Sequence, residues 1–316
     1  MSLRFTVLAS GSSGNASLVE ADGFGLLIDA GLGPRQLADR LAAAGSSWSA
    51  VQAVLLTHTH SDHWKDRTLA HLCRRRIPLY CHPDSHSDLQ TFSPAFVELT
   101  AEGLVRPFES GEEFVVAQGL RCRPLPLRHD SGATFGFRIE GPRDLFGQAA
   151  AVGYVADLGC WDEALADGLA DVDLLAVEFN HDLAMELASG RSPRLIDRVL
   201  GDEGHLSNTQ GAALVRAVLG RSEIGRVRHL VQLHLSRQCN RPTLAREAAK
   251  AILDDFAFRV EVHTARQDEP GITLLLGVAP DAAKRPRGLA SRTPRRRATA
   301  QQALPGLEDS RSDGIK

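Results

Sequence analysis

The sequence lacks the features of several protein classes. Its five cysteines are scattered and none forms a C-x-x-C pair, so we expect neither a disulfide framework nor a cysteine-based zinc site. No apolar run approaches the roughly 18 residues that a membrane-spanning helix needs. The N-terminal apolar run breaks at Gly11, which is too early for a secretion signal. We therefore expect a cytoplasmic protein with no membrane-spanning segment.

Charge is unevenly distributed along the 316 residues. Residues 280–316 contain nine Lys or Arg and four Asp or Glu, whereas 1–279 contain 27 basic and 35 acidic residues. The C-terminal segment is rich in Pro, Arg, Ala and Ser and has no apolar periodicity, so it buries too little apolar area to offset the entropy of ordering. We predict one folded domain at 1–279 and a basic, disordered tail at 280–316.

Strands and helices alternate through the folded part. Apolar runs typical of strands lie at 3–9, 24–30, 53–58, 154–159, 173–182, 228–236 and 271–277. Helices are predicted at 33–44, 206–220 and 240–253, where start signals precede an apolar periodicity. Early β-rich segments followed by helices between later strands indicate a layered α/β domain.

The most informative segment is THTHSDHW, at 57–64, directly after an apolar run. It contains His58, His60, Asp62 and His63, whose nitrogen and oxygen atoms are usual non-thiol ligands of Zn²⁺, Mn²⁺ or Fe²⁺. Adjacent Asp62 and His63 diverge from the first two histidines, so a single ion cannot easily take all four. Two neighbouring ions can, and two-metal sites suit hydrolysis. A solvated His-rich loop is the alternative.

Three further polar residues follow apolar runs elsewhere in the chain. His129, Asp157 and His234 each stand where a strand end would present a side chain at one rim of a sheet. Each alone is compatible with a structural role. Together with the histidine cluster they make a complete ligand set for two ions.

The order H-x-H-x-D-H, His, Asp, His, preceded by Asp29 in LLIDAG, resembles the metallo-β-lactamase superfamily. The resemblance implies an αββα sandwich whose rim holds two divalent ions. One ion would be held by His58, His60 and His129. The other would be held by Asp62, His63 and His234. Asp157 would bridge the two ions, and Asp29 would orient the ligand loop from behind.

Four other segments narrow the resemblance. VLASGSSGN (7–15), EFNHD (178–182), GHLSN (204–208) and HLSRQCN (234–240) look like the YycJ/WalJ (VicX) family of bacterial metallo-β-lactamase-fold nucleases. That family is associated with 5′→3′ exonuclease action on DNA. The resemblance therefore implies a DNA phosphodiesterase in which a hydroxide bridging the ions, held by Asp62 and Asp157, attacks phosphorus. His205 would protonate the leaving oxygen.

Some residues near these segments have two interpretations. Ser207 and Gln210 form the S-x-x-Q pattern of a capping box, and the same helix start, with Asn208, offers N–H groups to a phosphate. His181 either contacts phosphate, with Asp182 fixing its tautomer, or forms a hydrogen-bonded loop pair with Asp182.

The turn SGSSGN at 10–15 also has two interpretations. It is either a tight connection between strands or a phosphate-binding turn to which Ser12 and Asn15 contribute.

Other functions remain open from the sequence. A small-molecule cyclic phosphodiesterase of the phosphonate-pathway type would use the same ligands, whereas too few residues separate Asp157 from His234 for the inserted domain of a β-CASP nuclease. A non-catalytic binding protein is disfavoured because no ligand is missing. The acidic body suits a nucleic-acid enzyme poorly, because phosphate backbones favour Lys and Arg.

The tail contains one possible docking segment. QQALPGL, at 301–307, loosely resembles the short peptides that bind bacterial sliding clamps, although its last hydrophobic residue is displaced. The sequence leaves the oligomeric state open.

Overall fold

The computed structural model describes residues 2–117, 119–145 and 147–277. In these ranges two seven-stranded sheets pack face to face, with helices against both outer faces. This is the αββα sandwich that the sequence predicts. Within the described ranges no helix combines the length and the apolar character needed to cross a membrane. The predicted tail at 280–316, with its clamp-like segment at 301–307, lies outside the described residues.

The first sheet has the strand order β14-β1-β2-β3-β4-β5-β6. Strands β14, β1, β2 and β3 pair antiparallel, and β3 to β6 pair parallel. Its strands are β1 (Leu3–Ala9), β2 (Ala16–Ala21), β3 (Phe24–Ile28), β4 (Val51–Leu55), β5 (Leu79–Cys81), β6 (Val105–Pro107) and β14 (Leu274–Leu276).

The second sheet has the strand order β13-β12-β11-β10-β9-β8-β7. Strands β7 to β10 pair antiparallel, and β10 to β13 pair parallel. Its strands are β7 (Phe114–Ala117), β8 (Leu120–Leu127), β9 (Thr134–Arg143), β10 (Ala149–Val155), β11 (Leu174–Glu178), β12 (His229–Leu233) and β13 (Glu261–Thr264). Because each sheet has parallel strands, polar residues that follow their carboxyl ends meet at one rim.

Three apolar clusters account for the layers. One fills the space between the sheets, one packs the first sheet against α1 to α4, and one packs the second sheet against α5, α8 and α9. The helices are α1 (Pro34–Ala43), α2 (Asp66–Arg75), α3 (His86–Phe92), α4 (Pro94–Ala101), α5 (Glu163–Gly168), α6 (Leu183–Leu187), α7 (Pro193–Leu200), α8 (Asn208–Arg221) and α9 (Pro242–Leu253).

The predicted strands and helices are confirmed, with boundaries shifted by a few residues. The predicted run at 154–159 overlaps β10 only at residues 154–155, and the run at 173–182 is extended only at Leu174–Glu178. We also expected a buried strand at 271–277. Only Leu274–Leu276 is extended, and Leu275 is exposed because β14 is an edge strand with one open face. All five cysteines are free, and Cys160 alone is not fully buried.

Candidate metal centre

The predicted ligands converge at one rim of the sandwich. The histidine cluster follows β4 of the first sheet, and His129, Asp157 and His234 follow β8, β10 and β12 of the second. Each sheet therefore contributes part of the same site. The structure brings together all seven side chains that we expected to hold metal ions, in overlapping groups whose donor atoms lie within 4.8 Å of one another.

The first group consists of His58, His60 and His129. His129 Nε2 lies 3.1 Å from His60 Nδ1, and His58 is fully buried beside both rings. His129 Nδ1 lies 2.9 Å from the carbonyl oxygen of Gly204. A carbonyl only accepts, so Nδ1 holds the hydrogen and Nε2 presents its lone pair to the group.

The second group consists of Asp62, His63 and His234. Asp62 Oδ2 lies 3.6 Å from His63 Nε2 and 3.7 Å from His234 Nε2. His63 Nδ1 donates to Asp29 Oδ2 across 2.7 Å, which leaves Nε2 free to face Asp62. Asp29 also accepts from the backbone and hydroxyl of Thr57, so it ties the ligand loop to the end of β3.

Asp157 lies between the two groups. Its Oδ2 is 3.1 Å from His63 Nε2, and its Oδ1 is 3.0 Å from His234 Nδ1. It also forms a compact cluster with His58 and His63, which belong to different groups. This central position is the geometry that a bridging ligand requires.

Unpartnered buried atoms test whether the residues fit a metal. His58 Nε2, Asp157 Oδ2 and His234 Nε2 are buried and have no hydrogen-bond partner. Each such atom costs about 1–3 kcal/mol, so three in one small space indicate a missing group. Divalent ions satisfy imidazole nitrogen and carboxylate oxygen together, and the residues therefore fit the metals that the sequence predicts.

The two groups differ in their electrostatics. Burial opposes a charge on His63, but Asp29 and Asp157 outweigh it and raise its pKa to about 10. Burial also opposes a charge on His234, yet its carboxylate neighbours, Asp157 first, raise its pKa well above the usual value. Burial lowers the pKa of His58 well below its usual value. The second group thus lies in the more negative surroundings.

The backbone is strained where the strands deliver the site residues. Asp29, Asp157 and His234 have φ values of 61°, 61° and 54°, a region that residues with a side chain seldom adopt. All three follow the end of a strand, where the left-handed turn redirects the side chain. Such conformations cost about 1–3 kcal/mol each and cluster at functional sites.

His205 adjoins both groups. Its ring centre lies 5.1 Å from that of His129 and 5.2 Å from that of His234. Its Nδ1 lies 2.8 Å from Glu178 Oε1. Burial opposes the charged form of His205, but Glu178 outweighs it and raises its pKa.

Glu178 is a site residue that we did not predict. It is fully buried at the end of β11, and its Oε1 lies 2.9 Å from His234 Nδ1 as well as beside His205. Its other oxygen accepts from the backbone of Leu158 and Leu206. Burial opposes its ionisation, yet His205 and the hydrogen bonds lower its pKa to about 2. The sequence feature that points to Glu178 is a carboxylate directly after the apolar run DLLAV.

The turn at 10–15 supports the ligand loop. Asn15 is buried, and its amide lies 3.2 Å from Asp62 Oδ2 and 3.0 Å from His63 Nε2. It is thereby engaged with ligand residues, while Ser12 is exposed at the tip of the turn. The turn connects β1 to β2, and Asn15 contacts two ligand residues of the second group.

The expected pairing of Asp182 with His181 is wrong. Both ring nitrogens of buried His181 have no hydrogen-bond partner, and Asp182 instead accepts from the backbone of Met185 to cap α6. Asp182 caps the helix and does not bind His181, because the first N–H groups of a helix need an acceptor. His181 is thus left with unpaired nitrogens.

The capping box at the start of α8 is confirmed. Ser207 accepts from the backbone of Gln210, whose side chain returns to the backbone of Ser207. The Asn208 amide exchanges two hydrogen bonds with Asn240, so it is engaged within the protein.

Several known proteins are similar to this chain in sequence or in fold. Residues 25–226 match the family described as the beta-lactamase superfamily domain. The chain belongs to the beta-lactamase superfamily. The exodeoxyribonuclease YycJ of Bacillus anthracis is 28% identical over 276 residues, which cover 83% of this chain and 95% of that protein.

Two further similarities extend across most of the chain. The exodeoxyribonuclease WalJ of Streptococcus pneumoniae serotype 2 is 28% identical over 243 residues, which cover 77% of this chain and 85% of the relative. The metallo-beta-lactamase fold protein YhfI from Bacillus subtilis superposes with a TM-score of 0.60 at 18% identity, covering 87% of this chain and all of YhfI. Superfamily membership, the nuclease relatives and the buried His and Asp groups identify a metal-dependent hydrolase.

Proposed function

We propose that the protein is a two-metal phosphodiesterase that degrades DNA as a 5′→3′ exonuclease. The observation that supports it best is the arrangement of two ligand groups around Asp157, with His205 adjoining both. The similarity to exodeoxyribonucleases of two bacteria suggests DNA as the substrate. Zn²⁺, Mn²⁺ and Fe²⁺ are all compatible with this His and Asp ligand set.

The ligand residues would provide the electrostatic part of catalysis. His58, His60 and His129 would hold one ion. Asp62, His63 and His234 would hold the second, with Asp157 between them. When bound, the ions would supply an activated water and positive charge that stabilises the transition state. The positive charge of the ions would also offset the net negative charge of residues 1–279 at the place where a phosphate group binds.

His205 would be the proton donor to the leaving oxygen. Its Nδ1 faces Glu178 Oε1 at 2.8 Å, and a carboxylate only accepts. Nδ1 therefore keeps a hydrogen, and Nε2 is the nitrogen that gives a proton to the departing alkoxide. Glu178 would fix the imidazole ring in this orientation.

End-labelled DNA tests activity and direction together. A linear duplex labelled at the 3′ end of one strand, incubated with Mn²⁺ or Zn²⁺, should yield a ladder of shortened labelled fragments. A 3′→5′ enzyme would release the label first, and a circular duplex should remain intact. No degradation with any divalent ion would exclude the proposal. Hydrolysis of small cyclic diesters without DNA degradation would support the small-molecule alternative.

Variants test the role of His205 in the same assay. His205→Ala should lower kcat by about 10²–10⁴-fold while the metal content stays that of the wild type. Asp39→Asn changes an exposed residue of α1. It is the control variant and should keep wild-type kcat. Wild-type kcat in His205→Ala would exclude this residue as the proton donor.

A further inference from the structure

A second group of metal-binding side chains lies at the other end of β12. His229 begins this strand, and Glu261 and His263 lie on the neighbouring strand β13. We call these three residues the distal group. His229 and His234 are five positions apart, which places the distal group about 16 Å from the rim at the usual rise of a strand.

The strand register places the three side chains on one face. His229 pairs with Glu261, and Val231 pairs with His263. Residues two apart on a strand point to the same side of the sheet, so Glu261 and His263 share a face with their partners. Directly paired residues have neighbouring side chains, and diagonal neighbours remain within reach of long ones.

Two distances between donor atoms of the group are close to those of a tetrahedral metal site. His229 Nδ1 lies 3.4 Å from His263 Nε2 and 3.7 Å from Glu261 Oε2. Three donor atoms of the group lie within 4.8 Å of one another. Bonds of about 2.0–2.1 Å to a tetrahedral Zn²⁺ place its ligand atoms roughly 3.3 Å apart. An ion would therefore need only small side-chain adjustments.

The ligand chemistry also fits a transition metal. Two imidazoles with one Glu carboxylate form a three-ligand set that leaves a fourth position open. Both histidines are half-buried and Glu261 is exposed, so solvent reaches the group. His263 also lines a cavity of about 320 Å³ beside β1 and β14, which gives water or another small ligand access.

We propose that His229, Glu261 and His263 form a separate binding site for one divalent transition-metal ion such as Zn²⁺. The ion links β12 to β13, which is the edge strand of the second sheet. It clamps this edge strand to its neighbour without taking part in hydrolysis at the rim.

The clamp has a mechanical consequence for the segment after β13. Arg266 accepts a hydrogen bond from the backbone of Ser10, whose hydroxyl in turn accepts from the backbone of His234. Fixing β13 therefore stabilises a chain of contacts that ends at the rim. We expect the ion to affect thermal stability more than turnover.

Metal counting with Zn²⁺ tests the proposal. The full-length double variant His229→Gln/His263→Gln should bind one ion per chain fewer than the wild type by elemental analysis, and Zn²⁺ should raise its Tm less. DNA hydrolysis should stay within about twofold of the wild type, because the rim lies far from the substitutions. His86→Gln, outside both metal-binding regions, is the matched control and should bind as many ions as the wild type.

A milder variant keeps the test decisive if the double variant folds poorly. Glu261 is exposed, so Glu261→Gln should preserve the fold by circular dichroism. It should weaken the binding of one Zn²⁺ by about 10-fold or more in calorimetry, as expected when a metal site loses a charged partner. Equal ion counts and equal Zn²⁺ affinities in the wild type and Glu261→Gln would overturn the proposal and leave a simple contact between two histidines.

Discussion

The two ligand groups at the rim differ by one carboxylate, Asp62, and also in what surrounds them. In the first group, His129 donates to a backbone carbonyl, and Asp130 beside His60 is paired with Arg198. In the second group, His63 and His234 face the buried carboxylates of Asp29 and Glu178. Negative charge is therefore concentrated behind the second group. We expect the second group to bind its ion more tightly than the first.

Asp157 adjoins ligands of both groups, so its loss should have the largest effect on the rim. Asp157→Ala should lower DNA hydrolysis by about 10³-fold or more, because it removes a carboxylate that contacts both groups and the ion-dependent stabilisation of charge with it. Elemental analysis should show fewer bound ions than in the wild type. Asp39→Asn is the control, and undiminished activity in Asp157→Ala would contradict the shared position.

Glu178 tests the environment of the second group through metal affinity, because its contact with His205 would also affect turnover. Glu178→Gln keeps the size of the side chain but removes its charge, so metal affinity or activity should fall by about 10–100-fold. The loss should concern the ion held by His234, whereas the ion at His58, His60 and His129 should bind as before. Metal titration of the variant measures both affinities.

A matched substitution separates this effect from a general one. Glu247→Gln changes an exposed glutamate of α9 and should bind both ions like the wild type. If Glu178→Gln weakened both ions equally, the carboxylate would act on the whole rim and the two groups would not be independent.

The sequence predicts the ligands better than their supports. His129, Asp157 and His234 are recognisable because each polar residue interrupts an apolar pattern just after a strand. Glu178 was missed because it still belongs to its strand, where a carboxylate is unexpected until its two histidine partners are known. The contacts of Asn15 with Asp62 and His63 are also absent from the prediction, because nothing local in the sequence shows that these residues lie beside it.

The fold, like the site, is predicted only in part by the sequence. The layered α/β class follows from the alternation of apolar runs and the αββα arrangement from the resemblance, but neither predicts the pairing of β12 with β13. His229 and Glu261 are far apart in the chain, and only the strand register makes them neighbours. Apolar periodicity and local start signals say nothing about which strands pair or in what register. The sequence therefore does not predict the distal group.

Removal of metal by a chelator tests the smallest expected difference between the groups. The second group lies against more buried carboxylate charge, so its ion should resist dialysis at a roughly 10-fold higher chelator concentration than the ion of the first group. Elemental analysis after stepwise dialysis should therefore show two separate losses from the rim. His229→Gln/His263→Gln is the appropriate background, because it removes the distal group from the count. A single step in which both ions leave together would show that Asp157 couples the groups more strongly than their surroundings distinguish them.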